Sequence, residues 1–333
     1  MHQGLEPGTV LRDRYEILGL IGQGGMGAVY KAADRRLPGR ICAIKETWPP
    51  PGLSAEALVH TREQFLREAS TLARLDHPNL PKVSDYYTLV PDGQDVMSRD
   101  YLVMDYVPGQ NLEQVVQQAR REGRFLDEDD ALGWMMQLCD ALIYLHSQAP
   151  PVLHRDVKPA NVKLTPDGRI KLVDFGLVKP LDPMDPNTVT GLRGLGSLPY
   201  TPMEQYAGEM GHTDRRSDLY SLGATLYHLL TGSAPANVQE RFLDSGAFRL
   251  PREINPAISS ELEQAVLCAM ALHPKDRPGS VEAWCRMLTG ELAMASGVPV
   301  LQEESWAQAL RANWWLLMLA LVLIATAVVL TFR

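Results

Sequence analysis

The residues best equipped for chemistry in this 333-residue chain fall between His154 and Gly176, in the run HRDVKPANVKLTPDGRIKLVDFG. Two short apolar strands, Val162–Leu164 and Ile170–Val173, flank a Pro166-Asp167-Gly168 turn. Proline presets one turn dihedral and glycine supplies the unusual one, so the pattern predicts a hairpin. Paired strands lie about 5 Å apart, which brings the open ends of such a hairpin together. Asn161 stands at one end and Asp174 at the other. Two oxygen ligands with open positions beside them suit Mg²⁺, which keeps waters and takes its remaining ligands from phosphates. Asp156 precedes Asn161 by five residues and is an acid able to accept a proton from a hydroxyl nucleophile. Taken singly, a His-Arg-Asp or Asp-Phe-Gly tripeptide is an ordinary turn or cap. Spaced by a turn that makes them neighbours, they describe a device for moving a phosphoryl group.

Such a device needs a nucleotide platform, and residues 15 to 46 supply the pattern for one. They alternate like strands and hold Gly22, Gly24 and Gly27. A GxGxxG pattern also occurs in dinucleotide-binding folds, but those demand a helix immediately afterwards. Here the β-branched and aromatic Ala28-Val29-Tyr30-Lys31 favours a second strand, and so a glycine-tipped hairpin able to offer backbone N–H groups to phosphates. Ile41 to Lys45 is the next strand; at period two, Ala43 and Lys45 share a face, a small residue beneath a flat base and then a cation. Trp48–Ser54 is a Pro- and Gly-rich loop, and a helix follows from about Ala55, strongest over 63–75, with Phe65, Ala69 and Leu72 on its apolar face. Glu68 points into that packed side, where a carboxylate needs a cation, and Lys45 is the natural partner. Tyr101 to Val107 reads as a buried strand running into Pro108-Gly109. Asp127 starts a helix with Ala131, Trp134, Leu138, Ala141, Leu142 and Leu145 as core positions.

Composition is ordinary for a globular protein, with 45% hydrophobic and 22% charged residues. A net charge of −8 argues against nucleic acid as a partner, because phosphate backbones want a basic face. The four cysteines show no close spacing and suggest neither zinc nor a disulfide framework. No apolar run marks a cleavable signal peptide at the N-terminus. Near the other end, Trp314 to Phe332 is a 19-residue uncharged run. As a helix it would extend roughly 28 Å, close to the ~30 Å hydrocarbon thickness. Its terminal Trp314, Trp315 and Phe332 fit an aromatic belt. A linker of roughly 20 residues, if flexible, would hold the preceding domain on the order of 25 Å from the bilayer.

The catalytic-loop and Asp-Phe-Gly arrangement, with the glycine hairpin and Lys45, resembles that of bacterial Hanks-type serine/threonine protein kinases. The resemblance implies an α+β, bilobal fold over residues 12–290, with a β-rich N-lobe (about 12–107) and a helical C-lobe (about 108–290), then a linker (291–313) and one transmembrane helix (314–332). It implies that Asp156 and Lys158 are catalytic, and that Asn161 and Asp174 bind Mg²⁺. Ile21, Gly22, Gly24, Gly27, Val29, Ala43, Lys45, Glu68, Asp105 and Val107 would hold ATP, with Met104 behind the adenine and Asn111 near the ribose. Lys158 favours Ser/Thr over Tyr specificity, and Arg155 suggests control by phosphate on an activation segment over 177–203. Thr188 and Thr190 are its candidate phosphosites, and Ser197 the contact to the catalytic aspartate and substrate. Lys163 departs from the pattern, standing where many kinases have an apolar floor to the adenine pocket. Pro202-Met203-Glu204 replaces the family's Ala-Pro-Glu, with Arg277 the expected buried partner of Glu204 and Asp218 the anchor of the catalytic loop. The expected partners are protein substrates, ATP, a membrane and a second copy for autophosphorylation. The expected location is the cell membrane, the kinase domain on the cytoplasmic side. A membrane-anchored pseudokinase and a small-molecule phosphotransferase are the rival readings.

Overall fold

Alternating burial along the first hundred residues builds one antiparallel sheet from β1 (Val10–Leu11), β2 (Tyr15–Gly24), β3 (Gly27–Asp34), β4 (Ile41–Thr47), β5 (Val83–Leu89) and β6 (Arg99–Asp105), in the order β1-β2-β3-β4-β6-β5. The computed structural model describes residues 4–24, 27–48, 54–89, 99–174, 195–205 and 213–290. The chain divides into units 1–291 and 292–333, and the second lies outside the described residues, as do the whole 291–313 linker and the whole 314–332 run. Phe175, Gly176, Thr188 and Thr190 lie outside them too.

The period-two pattern of β4 and β6 separates two apolar faces. Cys42 and Ile44 join Tyr15, Tyr30, Tyr101 and Val103 in one cluster, while Ala43, Leu102 and Met104 join the core that continues into the C-terminal half. The long helix α1 (Ala55–Ala73) covers this second face and buries Phe65, Ala69 and Leu72, the stripe its sequence spacing predicts. Within the first cluster sits a buried carboxylate with no counterpart in the sequence reading: Glu46 accepts from Tyr30 (3.0 Å), Tyr101 (2.8 Å) and Arg99 (2.8 Å). A buried charge persists only when paired and hydrogen-bonded in this way.

Past the sheet, the chain turns helical. The strand β7 (Gln110–Asn111) leads into α2 (Leu112–Arg121), then α3 (Glu128–His146), and β7 pairs with the hairpin β8 (Val162–Leu164) and β9 (Ile170–Leu172). The helices α4 (Arg215–Thr231), α5 (Val238–Leu243), α6 (Pro251–Ile254), α7 (Ser260–Ala269) and α8 (Val281–Leu288) follow. The residues of α4 from Ser217 to Thr231 are buried without exception, so this helix has no solvent-facing side there and forms the centre of the lobe. Fully burying each of Leu222, Leu226 and Leu229 contributes about 1.5–3 kcal/mol. On α3, Trp134 is only half-buried and Met135 takes the core position beside it.

One ion pair ties the end of this lobe to the segment before α4. Arg277 spends all its N–H groups: on both oxygens of Glu204 (2.7 and 3.1 Å) and on the carbonyls of Ala271, Arg216 and Leu272 (2.8–2.9 Å). The pairing expected of Glu204 and Arg277 is present, and the Arg277 side chain is fully buried. Arg277→Met leaves that carboxylate buried without its cation and should cost about 3–5 kcal/mol in urea unfolding. Adding Glu204→Gln should recover part of the loss. A single variant as stable as the wild type would refute this account.

Candidate active site

The hairpin forms as the Pro-Asp-Gly turn predicts. Val162 faces Leu172 and Leu164 faces Ile170, with Gly168 at φ +79°, the left-handed region where glycine carries no steric penalty. β9 ends at Leu172 instead of Val173, yet the N–H of Val173 still donates to the carbonyl of Asn161 at 2.8 Å. That bond makes Asn161 and Asp174 neighbours. The sequence reading missed what braces the hairpin from outside: buried Asn79 donates to the Ile170 carbonyl (2.8 Å) and accepts the Leu172 N–H at its own carbonyl (2.8 Å). Gln137 accepts from both Asn79 (3.1 Å) and the Ile170 N–H (3.1 Å). The only available signal was an asparagine after proline in His77-Pro78-Asn79, a turn pattern with no hint of its distant partner.

Asp156 lies at the centre of the polar cluster. Lys158 Nζ donates to both its oxygens (2.9 and 3.2 Å) and to Ser197 Oγ (2.7 Å). Asn161 Nδ2 donates to the main-chain and side-chain oxygens of Asp156, each at 2.9 Å, which orients its own amide oxygen the other way. Ser197 therefore reaches the aspartate through the shared lysine. From the opposite lobe, Lys45 Nζ bonds Asp174 Oδ1 at 2.5 Å. The Lys45 charge, with a hydrogen bond from the same amine, outweighs burial and holds the Asp174 carboxyl below the usual range. Glu68 is buried and lines, together with Lys45, a cavity of about 20 Å³, room for about one water. The expected Lys45 and Glu68 neighbours thus border one small space, while the ion pair on the cleft side of Lys45 runs to Asp174.

The loop carrying Asp156 is fixed from beneath. Asp218 sits one turn inside α4, whose N-cap is Asp214. It accepts the N–H groups of His154 (2.9 Å) and Arg155 (2.7 Å) and a bond from His146 Nε2 (2.9 Å). Burial opposes ionisation of Asp218, but these donors outweigh it and its pKa lies below the ordinary value. Burial also lowers the pKa of His154, keeping that imidazole neutral. Arg155 (φ +64°) and Asp174 (φ +59°) both take the left-handed conformation that costs L-residues energy and recurs at functional sites.

On the nucleotide side, β2 and β3 pair as a hairpin up to Gly24 and Gly27, the tip residues 25 and 26 lying outside the described residues. A Cβ on Gly22 or Gly24 would meet nothing within 4 Å, leaving room above the loop. Gly27 is glycine for another reason: a Cβ there would lie 1.9 Å from the Glu46 carbonyl oxygen. Ile21 is half-exposed, and Val29 and Ala43 pack inward. The N–H of Asp105 donates to the Lys82 carbonyl at 3.0 Å, and Val107 is buried. Asn111 is engaged as the N-cap of α2, its Oδ1 accepting from Gln114 N at 2.8 Å, a box legible in Asn111-x-x-Gln114. The Lys163 amine is partly desolvated and its pKa is lowered accordingly. Among the described residues, no cluster of three His, Cys, Asp or Glu forms a protein-only metal cage. Asn161 and Asp174 instead offer the sparse oxygen set that fits a metal shared with phosphates.

A protein kinase domain model matches residues 15–288. A probable serine/threonine-protein kinase of Clostridium perfringens is 34% identical over 277 residues, covering 81% of this chain and 37% of its own. Serine/threonine-protein kinase F of a Synechocystis strain is 31% identical over 287 residues, covering 84% of this chain and 56% of its own. The chain therefore spans about two fifths of the length of the first of these relatives and just over half of the second. The solved kinase domain of PknI from Mycobacterium tuberculosis superposes with TM-score 0.63 at 28% identity, covering 87% of this chain and all of that one. A structure titled PpkA-294 apo form gives 0.66 at 28% identity, covering 86% and 99%. The catalytic geometry and these likenesses converge: the chain belongs to the protein kinase family, among the bacterial Hanks-type serine/threonine kinases.

Proposed function

We propose that this chain transfers the γ-phosphoryl group of Mg·ATP to serine and threonine hydroxyls of proteins, its own activation segment among them. The observation that carries the reading is the gathering of Asp156, Lys158, Asn161, Asp174 and Lys45, drawn from both lobes, around one cleft. Bound Mg²⁺ would neutralise charge on the phosphates, held by Asn161 and Asp174. Asp156, steered by Lys158 and Asn161, orients the acceptor hydroxyl and takes its proton. Lys158, already placed between Asp156 and Ser197, offers its charge to the transferring group, and Lys45 to the nucleotide phosphates. The protein's share is positioning and charge neutralisation. Lys45→Met or Asp174→Asn should lower labelled-phosphate transfer by about 10²-fold or more while thermal unfolding stays near wild type. Wild-type turnover in either variant sinks the assignment, and absence of transfer in the wild type itself favours a scaffold role. Ser197 on the catalytic lysine and the Glu204–Arg277 pair support a protein acceptor over a small molecule.

Two further parts of the reading rest on sequence. Thr188 and Thr190 are the proposed autophosphorylation sites, with Arg155 as the phosphate's partner and a second copy as the phosphorylating enzyme. Mass spectrometry after incubation with Mg·ATP should find phosphate on at least one of the two threonines; an unmodified, fully active enzyme removes the switch. The 314–332 run is the proposed single-pass anchor, with the catalytic domain on the cytoplasmic face. Among the described residues no helix is long and apolar enough to cross a membrane. Truncation before Trp314 should move the protein from the membrane pellet to the supernatant, and a full-length chain already in the supernatant overturns the anchor.

A further inference from the structure

A second cavity, of about 460 Å³, opens in the helical lobe away from the catalytic cluster. Its walls are Arg120 from the last turn of α2, Arg124 and Phe125 from the following loop, Tyr227 and Thr231 from the last turn of α4, and Arg249 just before α6. Three arginines line it in a chain whose net charge is −8. Structural duties account for only part of this. Arg120 lies where a cation offsets the dipole of α2, and Arg249 reaches one carbonyl of α6, but Arg124 comes from a loop and bonds no helix carbonyl with its side chain. Two carboxylates border the group. Glu122 pairs with Arg124 at 2.8 Å, and Glu253 turns its carboxylate to the Leu250 N–H at 3.0 Å while its carbonyl accepts from Arg249 at 3.3 Å. Arg120 makes no ion pair among the described residues, and the balance stays positive. Phe125 is 43% exposed, a flat apolar surface beside the charges.

A relay of contacts joins this cavity to the place where an acceptor hydroxyl would lie. Asp156 meets Lys158, which meets Ser197. Three residues on, Tyr200 shares a 2.6 Å hydrogen bond with His228 Nδ1 on α4. His228 adjoins Tyr227 in the cavity wall, and the charge of Arg120 reaches it, adding to burial in holding it neutral with a pKa of about 4. The segment 195–200 thus packs on the helix whose last turn forms the cavity.

We infer that this basic cavity is a docking site for an acidic segment of the protein substrate, binding Asp and Glu carboxylates through Arg120, Arg124 and Arg249 while the acceptor residue occupies the catalytic cleft. The inference rests on the kinase reading for the identity of the ligand as substrate, but not for the binding itself. Guanidinium groups take carboxylates in a bidentate fashion, which supplies the recognition. Exposed ion pairs are individually weak, so losing two together should weaken binding by about tenfold.

The test uses the full-length protein in mild detergent and a fluorescein-labelled decapeptide of alternating Glu and Gly, with a Gln-Gly decapeptide as control. Anisotropy should show the Glu peptide binding about tenfold tighter than the control, with the preference shrinking as salt rises. Arg120→Gln/Arg249→Gln should abolish that preference, whereas Asp156→Asn should keep it. Attached to a threonine acceptor peptide, the Glu tail should lower KM about tenfold with kcat unchanged in the wild type, and change neither in the double variant. No preference for Glu, or a preference that survives in the double variant, overturns the site. Full displacement by sulfate at matched ionic strength marks a small-anion pocket and overturns the peptide assignment. Loss of phosphate transfer with Glu-specific binding intact would count against the kinase reading alone.

Discussion

The site depends first on one buried carboxylate. Asp218 has no exposed surface, yet it is ionised, because two main-chain N–H groups and an imidazole converge on it. A charge in such a place is tolerable only with its donors fixed, and the donors belong to the loop that carries Asp156. The exchange is mutual. α4 is held in place because it is buried on every side, and the strained backbone of Arg155 is held because releasing it would strand the charge. The loop that carries Asp156 is thereby attached to the most deeply buried helix of its lobe.

A second constraint comes from strand periodicity. On β4, consecutive residues Lys45 and Glu46 point to opposite faces of the sheet. Lys45 reaches across to Asp174 in the other lobe, while Glu46 is sealed among Tyr30, Tyr101 and Arg99. The buried side resists any slip of register, since a one-residue shift would expose Cys42 and Ile44 and turn the lysine inward. The same mesh explains Gly27, whose strand approaches the Glu46 carbonyl too closely for any side chain. The lysine is precisely placed because its neighbour cannot move.

Lys158 links the lobe's two functional segments. Its amine bonds Asp156 and Ser197 together, and Ser197 belongs to the stretch that rests on α4 through Tyr200, His228 and Ser221. The Asp156 loop, the 195–200 segment and the basic cavity therefore share one helix as their floor, although their sequence positions are spread over more than a hundred residues.

What the sequence determined by itself was chemistry carried in short spans. The turn at Pro166 to Gly168 implied a hairpin, and the hairpin implied that Asn161 and Asp174 meet, because turn geometry and strand spacing act over a few residues. The stripe of Phe65, Ala69 and Leu72 and the shared face of Ala43 and Lys45 were legible for the same reason: helical and strand periods are local properties. Tertiary structure alone decided which distant groups would satisfy buried polar atoms. Asn79 bracing β9, Glu46 among tyrosines and Arg249 joining Arg120 and Arg124 around one cavity all answer to neighbours far off along the chain. A buried donor or acceptor must find a partner, but nothing in its local sequence says which one, since that choice is made only when the helices and the sheet are packed.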